Sequence, residues 1–209
     1  MIEFIDNLTQ LLAALSGCVL SGVFYLRSRK QAYFLLCCFY GCCGLSLLYW
    51  LLYLYFAKET PTIFYVSDIG WISSFFFLLL LQNSLADKEE QKLHGWAPWL
   101  ALVIEIPLTV YYISIGDVLY NLIDGILMTA MLWSALRGIV WQSKQPKPNY
   151  GKWFFHLVMI GYIALENGLW LSSYPWAGDT LANPYFWFDF AVTAAILVLF
   201  PAVRKAVRT

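Results

Sequence analysis

Long apolar stretches alternate with short polar ones along the whole chain. Runs at residues 8–26, 31–57, 63–85, 96–113, 118–141, 153–174 and 185–203 each offer about 20 residues, the length a helix needs to cross a bilayer. The pattern therefore predicts seven membrane-spanning helices. The connections are short (Lys58 to Thr62, Ala86 to Gly95, Ser114 to Asp117, Gln142 to Lys152, Pro175 to Pro184), which leaves no room for a soluble catalytic or DNA-binding domain. Residues 1–209 are thus expected to form a single transmembrane domain, an all-α, polytopic integral membrane protein.

Basic residues set the expected orientation, because Lys and Arg concentrate in loops that stay cytoplasmic. Arg27, Arg29 and Lys30 follow the first span and Lys88 and Lys92 the third. Arg137, Lys144, Lys147 and Lys152 flank the fifth-to-sixth connection, and Arg204, Lys205 and Arg208 follow the seventh span. Of thirteen Lys and Arg, only Lys58 falls on the other side. An odd number of spans then predicts an N-terminus outside and a C-terminus in the cytoplasm, in a cell membrane, with a bacterial plasma membrane the expected setting. Tyr53, Tyr55, Tyr111, Tyr112, Trp170, Tyr174, Trp176 and Tyr185 fall at the outer ends, and Trp96, Trp99, Trp141 and Trp153 at the inner ones, as interfacial aromatics do.

Composition agrees: 61% of the 209 residues are hydrophobic and 12% charged, far from the soluble mix. The net charge is +0, so no basic face for nucleic acid is expected, and the lipid bilayer is the partner the chain is built for. Glu3 and Asp6 precede the first span where a signal peptide would carry basic residues, so that span reads as a retained helix.

Cys37, Cys38, Cys42 and Cys43 share one span, and four ligands from one helix cannot surround an ion, so they read as packing residues beside Gly41 and Gly44. Two histidines, His94 and His156, are too few for a membrane zinc hydrolase, and no lysine precedes Lys205 in the last span to hold retinal. No metal and no cofactor are implied.

The acidic residues carry the functional signal. Asp68, Glu105, Asp124, Glu166 and Asp189 lie inside five different spans, about 7–12 Å below the outer boundary at 1.5 Å per residue. Each costs roughly 2.5–3.5 kcal/mol on insertion scales and is by default a functional residue. Glu166 has Tyr162 and Trp170 one turn away on either side, with Asn167 adjacent; Asp189 has Tyr185 and Thr193; Asp124 has Asn121; Asp68 has Tyr65 and Trp71. Glu105 has only Ala101, Leu102, Leu108 and Thr109 near it and reads as a bystander, although Pro107 is placed to kink its helix. Two carboxylates about 6 Å apart repel by roughly 3 kcal/mol at an effective dielectric near 20, so protons or a cation must compensate such a layer. A small cationic ligand suits both the acids and the aromatic faces. The alternative for any single acid is a protonated side chain hydrogen-bonded between helices.

The seven-span organisation, together with the stretch Tyr65-Val66-Ser67-Asp68-Ile69-Gly70-Trp71 and the Phe/Leu run after it, resembles the compact bacterial sensory modules that precede diguanylate cyclases and histidine kinases. That resemblance implies ligand sensing. Only Arg204 to Thr209 follow Val203, so no output domain is expected here, and a sensor would act through a separate cytoplasmic or membrane protein. Sugar transporters of the three-plus-one-plus-three type share the count and orientation, with Asp68 and Asp189 in equivalent third and seventh helices; this implies a site between the halves, although no span contains a Pro-Gln pair. An intramembrane lipid-modifying enzyme using one carboxylic acid as proton donor and another as base is a third class. The reading that best fits the residues is a small-molecule or cation binding and sensing protein. Its outward pocket is expected to have Glu166, Asp189, Asp68 and Asp124 as polar centre, Asn167 and Asn121 beside them, and Trp170, Tyr162, Tyr185 and Trp71 as walls.

Overall fold

The computed structural model describes residues 2–59, 66–93, 95–175 and 178–208. Tyr65, His94 and Trp176 lie outside them. The described residues form helices α1 (Ile2–Ser28), α2 (Gln31–Ala57), α3 (Val66–Leu85), a one-turn α4 (Lys88–Gln91), α5 (Leu100–Ile115), α6 (Val118–Lys144), α7 (Tyr150–Ser173) and α8 (Pro184–Arg208), with no strand among them. A 3₁₀ turn over Ala97–Trp99 leads into α5. Seven segments, all but α4 and with α5 counted together with the 3₁₀ turn before it, are long and apolar enough to span a membrane, so the chain is a multi-pass membrane protein. Helical secondary structure follows from the solvent: in hydrocarbon every backbone N–H and C=O must be paired within its own segment.

Short connections make sequential helices antiparallel neighbours. Two residues join α1 to α2, with Arg29 turning the chain at φ 58° in the left-handed region that ends many helices. Gly116 and Asp117 join α5 to α6, and the Asp117 carboxylate caps α6 by accepting from the Tyr120 N–H at 2.8 Å. Asn149 caps α7 in the same way, accepting from Lys152 N–H at 2.9 Å, and its own N–H donates to Gln142 Oε1.

Packing closes six helices into a ring in the order α1, α2, α3, α6, α7, α8 and back to α1, with α5 outside, laid chiefly against α6. The middle of the ring is filled by Phe39, Tyr40, Leu78, Met131, Met159, Tyr162 and Ile196, all fully buried. Phe39 and Phe75 both pack edge-on against the Tyr162 ring, and the Tyr40 hydroxyl donates to the Ile196 carbonyl at 2.7 Å. Gly17 permits this core, since a Cβ there would stand 2.5 Å from Tyr40 ring carbons. At the opposite rim Gly151 lets α7 touch the backbone of α8, a Cβ being 2.6 Å from the Lys205 carbonyl oxygen.

One sequence boundary needs correction. The first span was expected to begin at residue 8; α1 begins at Ile2, so Asp6 is a helical, fully buried residue and no outside flank. Pro107 leaves α5 continuous through Ile115, with Thr109 Oγ1 donating to the Glu105 carbonyl one turn back. The cysteines are free, and Cys37 packs against Cys18 of α1 with the sulfurs 3.6 Å apart, in keeping with a packing role.

Candidate functional site

At the end of the ring where α1, α3, α6 and α8 begin, the helices part around a cavity of about 310 Å³. All six ring helices reach it. Gln10 and Asn7 come from α1, Trp50 from α2, Ser67, Asp68, Trp71 and Phe75 from α3. Asp117, Tyr120 and Asn121 come from the start of α6, Glu166 and Trp170 from α7, and Tyr185 and Asp189 from α8. Four carboxylates therefore face one hollow, and no Lys, Arg or His lines it among the described residues.

Local geometry fixes each wall. Tyr120 and Trp170 pack with their rings tilted at 53° and 5.9 Å between centroids, joining α6 to α7. Asp189 accepts a hydrogen bond from Gln10 Nε2 at 2.8 Å, holding α8 to α1. Trp50 donates from Nε1 to Glu3 Oε1 at 3.3 Å, and the Glu3 backbone N–H reaches Asp179 Oδ1 at 2.8 Å, so the α1 terminus is tied to α2 and to the loop before α8. Asp117 both caps α6 and borders the cavity. Beneath the cavity lies the apolar filling of the ring, so the hollow has a dry floor.

Seven of the ten expected site residues line this cavity: Glu166, Asp189, Asp68, Asn121, Trp170, Tyr185 and Trp71. Three do not. Tyr162, one turn deeper than Glu166 on the same face, is fully buried beneath it, and its hydroxyl approaches Glu166 without reaching hydrogen-bond geometry. Asn167 follows Glu166 by one residue, which turns it roughly 100° round the helix and away from the hollow. Its Nδ2 donates to Glu105 Oε1 at 3.0 Å, and it accepts from the Tyr112 hydroxyl. Asp124 is 5% exposed but is no part of the cavity wall, and its Oδ1 meets no hydrogen-bond partner.

Glu105, expected to be a bystander, lies outside the cavity but does have polar partners. With Asn167 and Tyr112 it forms a buried polar knot between α5 and α7, which Asn121 joins by donating to the Tyr112 carbonyl at 3.0 Å. Tyr112, expected at the membrane interface, is buried at 6% exposure to serve this knot.

Asp6 was missed by sequence reasoning. It is fully buried beside Asp189, and neither of its oxygens accepts a hydrogen bond. Two carboxyl groups side by side repel unless a proton or a cation compensates them. Its α1 neighbour Gln10, one turn on and bonded to Asp189, was the only sequence-level hint: polar residues at i and i+4 on an apolar helix mark one inward face.

At the far end of the ring, Glu90 of α4 is tucked fully out of solvent, with its Oε1 3.6 Å from His156 Nε2. Asp87 pairs with Lys152 there at 2.7 Å. Burial pushes the Glu90 carboxyl above the ordinary range, against the opposing pull of Lys152 and Arg137.

Among the described residues no three His, Cys, Asp or Glu gather closely enough to hold a metal ion. The cavity instead combines dispersed carboxylates with aromatic faces. That combination suits a cation too large to be coordinated, attracted by charge and by ring quadrupoles together. Comparison of the chain with protein-family models, with curated proteins and with solved structures brought no match.

Proposed function

We propose that this protein binds a small organic cation, of the alkylammonium kind, in the cavity at the mouth of the helix ring, and that it serves as a binding or sensing protein. The supporting observation is the convergence of Asp68, Asp117, Glu166 and Asp189 with Trp50, Trp71 and Trp170 round about 310 Å³ that no basic side chain borders. The basic residues gather at the opposite rim, so the cavity mouth faces outside and the C-terminus lies in the cytoplasm of a bacterial plasma membrane. As a sensor, the protein hands its occupied state to a protein partner on the basic face.

The test is thermal stability of the purified protein against a panel of tetramethylammonium, longer alkylamines, magnesium and calcium. Tetramethylammonium or an alkylamine raises Tm in the wild type, and the shift disappears in Glu166→Gln combined with Asp189→Asn. Equal responses in both proteins, or a response to the divalent metals alone, overturn the reading.

One observation favours transport as a second reading. Contacts α1 with α8 and α3 with α6 are the two seams between a first half, α1–α3, and a second, α6–α8, each half packed in chain order and α5 standing apart as a linker. Asp68 and Asp189 then occupy matching places near the starts of α3 and α8, where a site between rocking halves belongs. Uptake of labelled tetramethylammonium into vesicles holding the wild type, lost in Asp68→Asn, distinguishes transport from binding without passage.

A further inference from the structure

The outer faces of α3, α5 and α6 do not close on one another. Because α5 lies outside the ring, a furrow of about 740 Å³ remains between it and α3, floored by α6. The furrow follows α6 from Leu122 to Arg137, about 22 Å at 1.5 Å per residue, which exceeds one leaflet of a bilayer whose apolar core is about 30 Å. It opens sideways: Ile106, Val110 and Ile126 on its walls are each more than half exposed, on a part of the chain that lies in hydrocarbon.

Its two ends differ in chemistry. Towards the cavity end the walls are aliphatic but for Thr109 and Thr129, whose hydroxyls donate to carbonyls of their own helices, whereas at the basic rim Arg137 borders the furrow, about 10 Å of helix from the end of α6. Arg137 uses Nη1 on the Gln91 carbonyl at 3.4 Å and stands within electrostatic reach of Glu90. Its Nε is shut off from solvent and meets no acceptor. The side chain as a whole is only half-buried, so a headgroup at the furrow's end can reach its outer N–H groups, and phosphate is the geometry a guanidinium matches best.

We propose that this furrow is a binding site for an anionic phospholipid, one acyl chain lying along α6 and the headgroup phosphate accepting from Arg137. The occupant follows from charge complementarity: an apolar channel of acyl length that ends at a half-buried cation. The lipid wedges α5 to α3, two helices joined mainly through α6. The site needs only that the helices span the membrane, and it stands apart from the cation cavity at the other end of the molecule.

Native mass spectrometry of the full chain released from detergent micelles tests the site, with phosphatidylglycerol, phosphatidylcholine and inorganic phosphate as probes. The wild type is expected to retain phosphatidylglycerol over phosphatidylcholine, which bears the same phosphate but cancels its charge with choline, by about tenfold, the scale of one uncompensated charge beside Arg137, and to retain no free phosphate. Arg137→Gln should bring the two lipids to equal retention. Ala130→Trp fills the furrow while leaving every basic residue in place, and should lose the phosphatidylglycerol preference even if Arg137→Gln proves unstable. Equal retention of both lipids by the wild type, an undiminished preference in Ala130→Trp, or capture of inorganic phosphate alone overturns the proposal.

Discussion

Glu90 is a carboxyl group with almost no water around it, held by a one-turn helix against His156 of α7. Its backbone partner is the Asp87 N–H, reached at 3.4 Å in a capping box. Because burial raises its pKa, the folded protein holds this proton more tightly than the unfolded chain does. Stability linked to Glu90 is therefore present below the ordinary carboxylate range and declines as pH rises through the raised value. Glu90→Gln keeps an acceptor for the cap and removes the charge. The difference in Tm, variant minus wild type, should grow as pH is raised from about 4.5 towards neutrality. A difference that shrinks over that range would show that Lys152 and Arg137 more than offset the burial. At the same scale, adjacent residues explain the sequence reading's partial success at the site. Glu166 and Asn167 are neighbours in sequence and point to different helices, one to the cavity and one to α5. Charge within an apolar run marks a residue as inward but does not say towards which neighbour.

Elements were the most legible level, because the spans are written as uninterrupted apolar runs whose length the bilayer dictates. The seven expected spans match the seven membrane-length helices, with ends moved by up to about six residues, and the basic turns sit together at one rim. The start of α1 was not legible: Glu3 and Asp6 look like a solvated flank until Trp50 and Asp189 from other helices are placed beside them. Nor did the chain disclose that α5 stands outside the ring, since its hydropathy falls within the range of the other spans and its packing is what sets it apart. Close approach of helices gives a test at this level. Gly151→Ala would place a methyl group against the Lys205 backbone, which cannot swing aside as a side chain can, and should cost about 1–3 kcal/mol, read as a lowered Tm. Gly161→Ala has open space around it and should leave Tm unchanged or slightly higher.

For the molecule as a whole, the ring and its filling divide the protein into a wet mouth and a dry waist. With the mouth outside, a membrane-impermeant maleimide added to intact cells should label Asn7→Cys, which borders the cavity, and tetramethylammonium should slow that labelling. Lys147→Cys, in the exposed connection at the basic rim, should react only after the membrane is opened. The reverse pattern would invert the topology and turn the cavity towards the cytoplasm.

The dry waist also decides where an electric field acts. Potential falls mainly across material that excludes water and ions, so the drop across this protein is concentrated on the layer of Phe39, Tyr40, Leu78 and Met159 and hardly reaches the mouth above it. A cation settling among the carboxylates remains near the potential of the bathing solution, and its affinity should be almost indifferent to voltage. Any step that carried it past the waist would bear nearly the full 2.3 kcal/mol per charge for roughly each 100 mV.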